Sequence, residues 1–204
     1  MDDVRDMLQR AIAQPPVQRP LDGMASAAVA AVFTAEGDLL FMRRAEVAGD
    51  PWSGHIAFPG GRSEAQDSDL MATAIRETSE ELGFTLSRQQ LLGPLNDVGT
   101  VSATPQMVVR PWVFVVPNRP EVTPNREVAG LHWVPLRTLL QDTGRGAFQF
   151  EWNTQHVTLP KVDFPGDCML WGMTLRIVDD LLHRIDGRGL GLARVRPSSL
   201  KGTP

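Results

Sequence analysis

The chain of 204 residues carries a formal charge of −4, with 42% apolar and 22% charged residues. That is enough chain to bury a full core in one domain, and the acidic balance argues against nucleic acid or an anionic membrane as the main partner. A single cysteine, Cys168, excludes an internal disulfide and any multi-cysteine metal site, and reads as a small buried hydrophobe.

In chain order, the start Met1-Asp2-Asp3 lacks the layout of a signal peptide. Residues 3–13 read as a short amphipathic helix with Val4, Met7, Leu8 and Ile12 on one side, followed by a stiff connector carrying Pro15, Pro16 and Pro20. Ala25 to Thr34 is a small-residue strand, and its apolar run, Ala25 to Phe33, is too short to cross a bilayer, so a cytoplasmic protein is expected. Ala35 to Asp38 turns the chain and Leu39 to Arg43 returns it. A polar loop, Arg44 to His55, leads to Phe58-Pro59-Gly60-Gly61, read as a tight turn whose glycines admit close approach of a ligand.

The next helix starts at Asp67, Ser68 or Asp69, any of which can cap it, and stops at Gly83. Met71, Ile75, Thr78 and Leu82 fall on a stripe suited to docking on a sheet. Glu77, Glu80 and Glu81 fall on another side at spacings i, i+3 and i+4. Leu91 to Val101 and Met107 to Val116 are further strands, and Asn118 to Asn125 is an exposed loop. Val128 to Pro135 is a strand followed by a short helix from Leu136 to Gln141. Phe148 to Trp152 and His156 to Leu159 form a hairpin around Asn153, and Leu170 to Ile185 is a final amphipathic helix. The tail beyond, rich in Gly, Arg and Ser, is a flexible end; its Gly187-Arg188-Gly189 lacks the strand and helix of a dinucleotide fingerprint. Strands on both sides of one helix, with a second helix at the end, predict a mixed sheet sandwiched between helices. The expected organisation is a helix and connector over 1–24, one domain over 25–186 and the tail over 187–204.

Three carboxylates this close on one helix repel, each like-charged pair costing roughly 0.2–0.5 kcal/mol on an exposed helix. A divalent cation reverses that sign. Mg²⁺ takes oxygen ligands and usually sits between carboxylates and substrate phosphates. A glutamate-rich face alone is most often solvated surface; the Gly-Gly segment ahead of a helix N-terminus, which offers free N–H groups to an anion, makes the combination distinctive.

The stretch from Gly61 through Arg76-Glu77, Glu80-Glu81, Gly83 and Phe84 resembles the Nudix box, G-x5-E-x7-R-E-U-x-E-E-x-G-U with U apolar. The spacer from Gly61 to Arg76 is one residue longer than that pattern, Asp67 or Asp69 lies near its first acidic position, and Thr78 fills an apolar slot. In the family that first acid pairs with the arginine. The longer spacer, together with Leu39-Leu40-Phe41-Met42-Arg43-Arg44, Gly54 and Phe58-Pro59-Gly60-Gly61, is similar to the coenzyme A diphosphatase branch, although no second arginine stands near Asp50. Asn125, Glu127, Val128, the His132 to Leu136 stretch and Trp171 to Thr174 extend the likeness.

The resemblance implies a Nudix-like α/β/α sandwich with a mixed central sheet, and a diphosphatase that uses Mg²⁺ or Mn²⁺. It implies metal ligands at Glu77, Glu80, Glu81 and a carbonyl near Gly60, with catalytic carboxylates among Glu80, Glu81 and Glu127; the general base is Glu80 or Glu127. Arg43, Arg44 and Arg62 are candidates to meet substrate phosphates, since guanidinium forks match phosphate geometry. His55 either touches substrate or is a hydrogen-bonded loop histidine, and Trp52 either stacks on a base or anchors its loop. His132 and His156 read as structural and His183 as exposed. The leading substrate is coenzyme A or acyl-CoA. ADP-ribose, dinucleotides, nucleoside triphosphates, or a non-catalytic nucleotide sensor are the alternatives. A small nucleotide-type molecule is the expected partner, with neither nucleic acid nor membrane, and the family's habit of pairing leaves a homodimer open.

Overall fold

A computed structural model describes residues 4–21, 24–50, 52–100, 107–141, 144–152, 155–166 and 168–187. The tail beyond Gly187, Val101 and the Asn153 turn lie outside them. Strand β1 (Ala25–Thr34) is the centre of the main sheet. It runs antiparallel to β2 (Asp38–Arg44) and β4 (Gly60–Arg62) and parallel to β7 (Met107–Val116) along its whole length. Strand β3 (Ile56–Ala57) and β8 (Val128–Pro135) pair with β2, and β5 (Leu91–Pro94) and β6 (Val98–Gly99) pair with β7. The sheet is therefore mixed. A strand covered on both faces can be apolar throughout, which suits the continuous Ala/Val run of β1.

Successive residues of β1 and β2 point to opposite faces and so build two cores. Ala28, Ala30, Val32, Leu40 and Met42 meet α2 (Leu70–Leu82) on one face. Ala31, Phe33, Leu39 and Phe41 meet α4 (Gly172–Asp186) on the other, together with Leu8 and Ala11 of α1 (Val4–Ile12). This is the α/β/α sandwich with a mixed sheet. The connector after α1 is tied to the sheet, since Val17 N–H donates to Asn96 Oδ1 (2.6 Å) and Arg19 N–H to Asp97 Oδ2 (2.7 Å). Among the described residues no helix is long and apolar enough to cross a membrane.

Several expectations are corrected. The Gly-Gly stretch is not a free turn: Gly60, Gly61 and Arg62 form β4, paired with Val29, Ala28 and Ala27. The described part of the expected Leu91 to Val101 strand, up to Thr100, holds two short strands, with the intervening Asn96 and Asp97 side chains drawn into hydrogen bonds with Asp180 and Arg110. The late hairpin is longer than its apolar core, with β9 at Arg145–Trp152 and β10 at Gln155–Phe164. A third strand, β11 (Cys168–Trp171), pairs with β10 and claims Leu170, so the last helix begins at Gly172. A short apolar run such as Met169-Leu170-Trp171 fits strand and helix equally until a partner is present. Cys168 is half-buried, its Sγ–H donating to the Gly166 carbonyl (3.3 Å). The short helix α3 spans Leu136–Leu140.

Candidate active site

The site is made where α2 crosses β4. Asp69 caps α2, its carboxylate accepting from Ala72 N–H (2.7 Å), and Gly83 closes it in the left-handed region at φ 74°. Asp67 has another task. Both its oxygens receive Arg76, Nε to Oδ1 at 2.9 Å and Nη2 to Oδ2 at 3.0 Å. Glu64 N–H and the Thr73 hydroxyl also donate to Oδ2. Those bonds, the guanidinium first, hold the Asp67 carboxyl well below the usual range and hold Arg76 well above its own. Of the two acids near the first acidic position, Asp67 is thus the one that meets the arginine, and Asp69 is the cap. Arg76 also donates to the Arg62 carbonyl (3.0 Å), which fixes β4 to α2.

Glu77 and Glu81 face β4. A Cβ on Gly61 would stand 2.4 Å from Glu77 Oε1, so glycine lets that carboxylate lie where it does, over the strand. Gly60 N–H donates to Glu81 Oε2 (2.9 Å), and a Cβ on Gly60 would stand 2.3 Å from the Ala28 carbonyl. Glu81 is 4% exposed. Burial pushes its carboxyl up to about 8; the Gly60 N–H and the Arg44 charge oppose the rise, and the charges of Glu77 and Glu127 add to it. Burial also raises Glu77, against the pull of Arg76 Nη1 at 3.0 Å. Glu80 lies apart from this pair, exposed, with Oε2 3.2 Å from Arg76 Nη1.

Two loops approach Glu81. Thr123 N–H and Asn125 N–H donate to the Leu82 and Glu81 carbonyls (2.9 and 2.8 Å), which docks the loop bearing Glu127 on the end of α2. Glu127 itself is exposed. Ala45 N–H donates to its carbonyl, so the segment after Arg44 joins the same corner (2.7 Å). Arg44 pairs with Asp50 (3.0 Å) and Arg43 with Glu46 (3.2 Å), yet the Nε of each is buried and, among the described residues, has no hydrogen-bond partner. The Arg62 side chain is exposed, at the end of β4. His55 and Trp52 sit one step further out. His55 packs edge-on to Trp171 (4.8 Å between centroids) and Trp52 lies 5.9 Å from His55 and 6.2 Å from Trp171. Burial lowers the His55 pKa, with Arg44 adding to the effect. Phe148 and Phe150 complete this aromatic cluster, which sequence reasoning missed because β9 and β11 are far from the loop in the chain.

Among the described residues no three acidic, His or Cys side chains already converge as a metal cage. The donor set nevertheless fits a hard divalent cation: oxygen ligands only, two adjacent carboxylates raised by burial, and a glycine cradle that a Cβ would fill. Such a site, at the crossing of a helix and a strand in an α/β/α sandwich, is what a family of metal-dependent hydrolases of phosphoric anhydrides would need. The NUDIX domain model matches residues 24–152, and the chain belongs to the Nudix family. An "Uncharacterized Nudix hydrolase NudL" of Photorhabdus laumondii is 30% identical over 147 residues, 65% of this chain and 70% of that one. The NudL of Yersinia pestis (strain Pestoides F) is 31% identical over 153 residues, 74% and 73% of the two chains. Among solved structures, a MutT/nudix family protein from Enterococcus faecalis matches 98% of this chain and 85% of its own with a TM-score of 0.50 at 13% identity, a likeness of fold.

Proposed function

We propose that the protein is a divalent-metal-dependent diphosphatase whose substrate is coenzyme A or an acyl-CoA, cleaved with water to 3′,5′-ADP and 4′-phosphopantetheine. The observation that carries the metal-dependent chemistry is the Glu81 carboxyl. It is buried beside Glu77, and among the described residues its one hydrogen bond comes from the Gly60 N–H. Mg²⁺ or Mn²⁺ bound there supplies charge neutralisation on the diphosphate and a lower pKa for the attacking water. Glu77, Glu81 and the Gly60 carbonyl would hold the ion, and Glu80 would join them by turning from Arg76. Glu80 or Glu127, both exposed, takes the water's proton. The unpartnered Nε–H groups of Arg43 and Arg44 offer donors to phosphate oxygens, with Arg62 at the rim.

Support for the coenzyme A branch is the pairing of its two sequence halves. Met42 and Arg43 lie opposite Ala57 and Ile56, which sets the double arginine beside the Phe58–Gly61 segment. The test is product mass after incubation with Mg²⁺ or Mn²⁺ and a panel of coenzyme A, ADP-ribose, NADH and nucleoside triphosphates. Release of 3′,5′-ADP from coenzyme A is the expected result. Cleavage confined to another member overturns the coenzyme A assignment, and no cleavage of any member overturns the diphosphatase reading.

A further inference from the structure

We propose that the polar pocket between the Pro-rich connector, the β5–β6 link and α4 is an anion site for a phosphate-class oxyanion. Its volume is about 150 Å³ and its polar walls are Arg19, Asn96, Asp97, Arg176 and Asp180. Each of the two acids already has an arginine partner and accepts three hydrogen bonds. Asp97 Oδ1 receives Arg110 Nε (2.8 Å), and Oδ2 receives Arg110 Nη2 (2.9 Å) and Arg19 N–H (2.7 Å). Asp180 Oδ1 receives Asn96 Nδ2 (2.7 Å), and Oδ2 receives Arg184 Nε (3.0 Å) and Asn96 N–H (3.2 Å).

The side chains of Arg19 and Arg176 are left over, and both converge on Gly99. Arg176 Nη1 donates to the Gly99 carbonyl (3.2 Å), and Arg19 Nη1 lies 2.7 Å from where a Cβ on Gly99 would stand. Among the described residues neither guanidinium has a carboxylate partner. Four arginines (Arg19, Arg110, Arg176, Arg184) against two aspartates leave an excess of two positive charges around the space. Burial, and then the Arg19 charge, lowers the Arg176 pKa, as expected of two like charges sharing one pocket. An oxyanion with several oxygens reverses that repulsion, because each guanidinium presents a planar fork of donors. Arg176 stands on α4, across the sheet from α2, so the site is separate from the carboxylates and does not rest on the diphosphatase reading.

Titration calorimetry of the full chain in EDTA, with chloride matching the ionic strength, tests this using inorganic phosphate and AMP as probes. Saturable phosphate binding is expected, weakened about tenfold or more by Arg19→Gln and by Arg176→Gln. Equal affinity for both probes assigns a free-ion site; tighter AMP binding with the same arginine dependence assigns a phosphomonoester. Absence of saturable binding, or binding that both variants retain at wild-type strength, overturns the proposal. Arg19 is exposed, so Arg19→Gln decides the matter should Arg176→Gln fail to fold.

Discussion

Replacing Glu81 by Gln separates what its charge does to the fold from what it does for the chemistry. The amide keeps an oxygen for the Gly60 N–H and nearly the same volume, so the helix and β4 stay joined. What disappears is an ionisable group held at about 8 instead of its ordinary 4.5. The native state therefore binds a proton that the unfolded chain has released between those values. Stability from this group is fully present below pH 4.5 and is lost as pH climbs through about 8. The shift corresponds to a loss on the order of 5 kcal/mol in the metal-free protein, or roughly 10 °C in Tm for a chain of this size. Thermal unfolding in EDTA, measured from pH 5 to pH 9, should show wild-type Tm falling more steeply than that of Glu81→Gln. The difference between the two curves isolates Glu81 from the histidines. Adding Mg²⁺ at pH 8 should raise the wild-type Tm and leave the variant nearly unmoved, and the variant should lack turnover. Parallel pH curves would refute the electrostatic argument, and near-normal turnover by the variant would refute the place of Glu81 in the mechanism.

Two other substitutions probe the frame around it. Gly61→Ala places a methyl 2.4 Å from Glu77 Oε1, which the flexible side chain escapes by rotating. Turnover should fall about a hundredfold while the unfolding free energy from urea titration changes by less than about 1 kcal/mol; unchanged turnover would show that Glu77 need not lie over Gly61. Asp67→Asn removes the charge from the two-point contact with Arg76. It should cost about 2–3 kcal/mol in chemical denaturation at pH 7, and a loss within experimental error would mean Glu64, Glu77 and Glu80 suffice to hold the guanidinium.

Elements bounded by strong local signals were legible from the sequence alone. The β1 and β8 bounds coincide with largely apolar stretches between turn residues, and α2 ends where Gly83 can take a positive φ. The spacing of Glu77, Glu80 and Glu81 gave the acidic face. What it does not carry is which of the three is buried, because that depends on the strand the helix crosses. Glu81 and Glu77 reach β4, while Glu80 turns outward to Arg76 at i−4. The β4 pairing itself was hidden, since Gly-Gly reads locally as a turn and becomes a strand only beside the small residues Ala27, Ala28 and Val29.

That dependence explains why the electrostatics of the site follow from tertiary structure and the chemistry from sequence. The charges that act on Glu81 come from Glu77 on its own helix, Arg44 at the end of β2 and Glu127 beyond the Pro-rich loop. Three hydrogen bonds between backbone groups, Ala45 to Glu127, Asn125 to Glu81 and Thr123 to Leu82, draw the last two segments to the helix end. Backbone groups carry no residue identity, so no motif encodes these bonds. The side chains they bring together are nevertheless ones that sequence singled out as candidates: Glu127, Arg44 and Glu81. Burial against β4 sets the direction of the Glu81 shift, and the segments carrying Arg44 and Glu127 act on it in opposite senses.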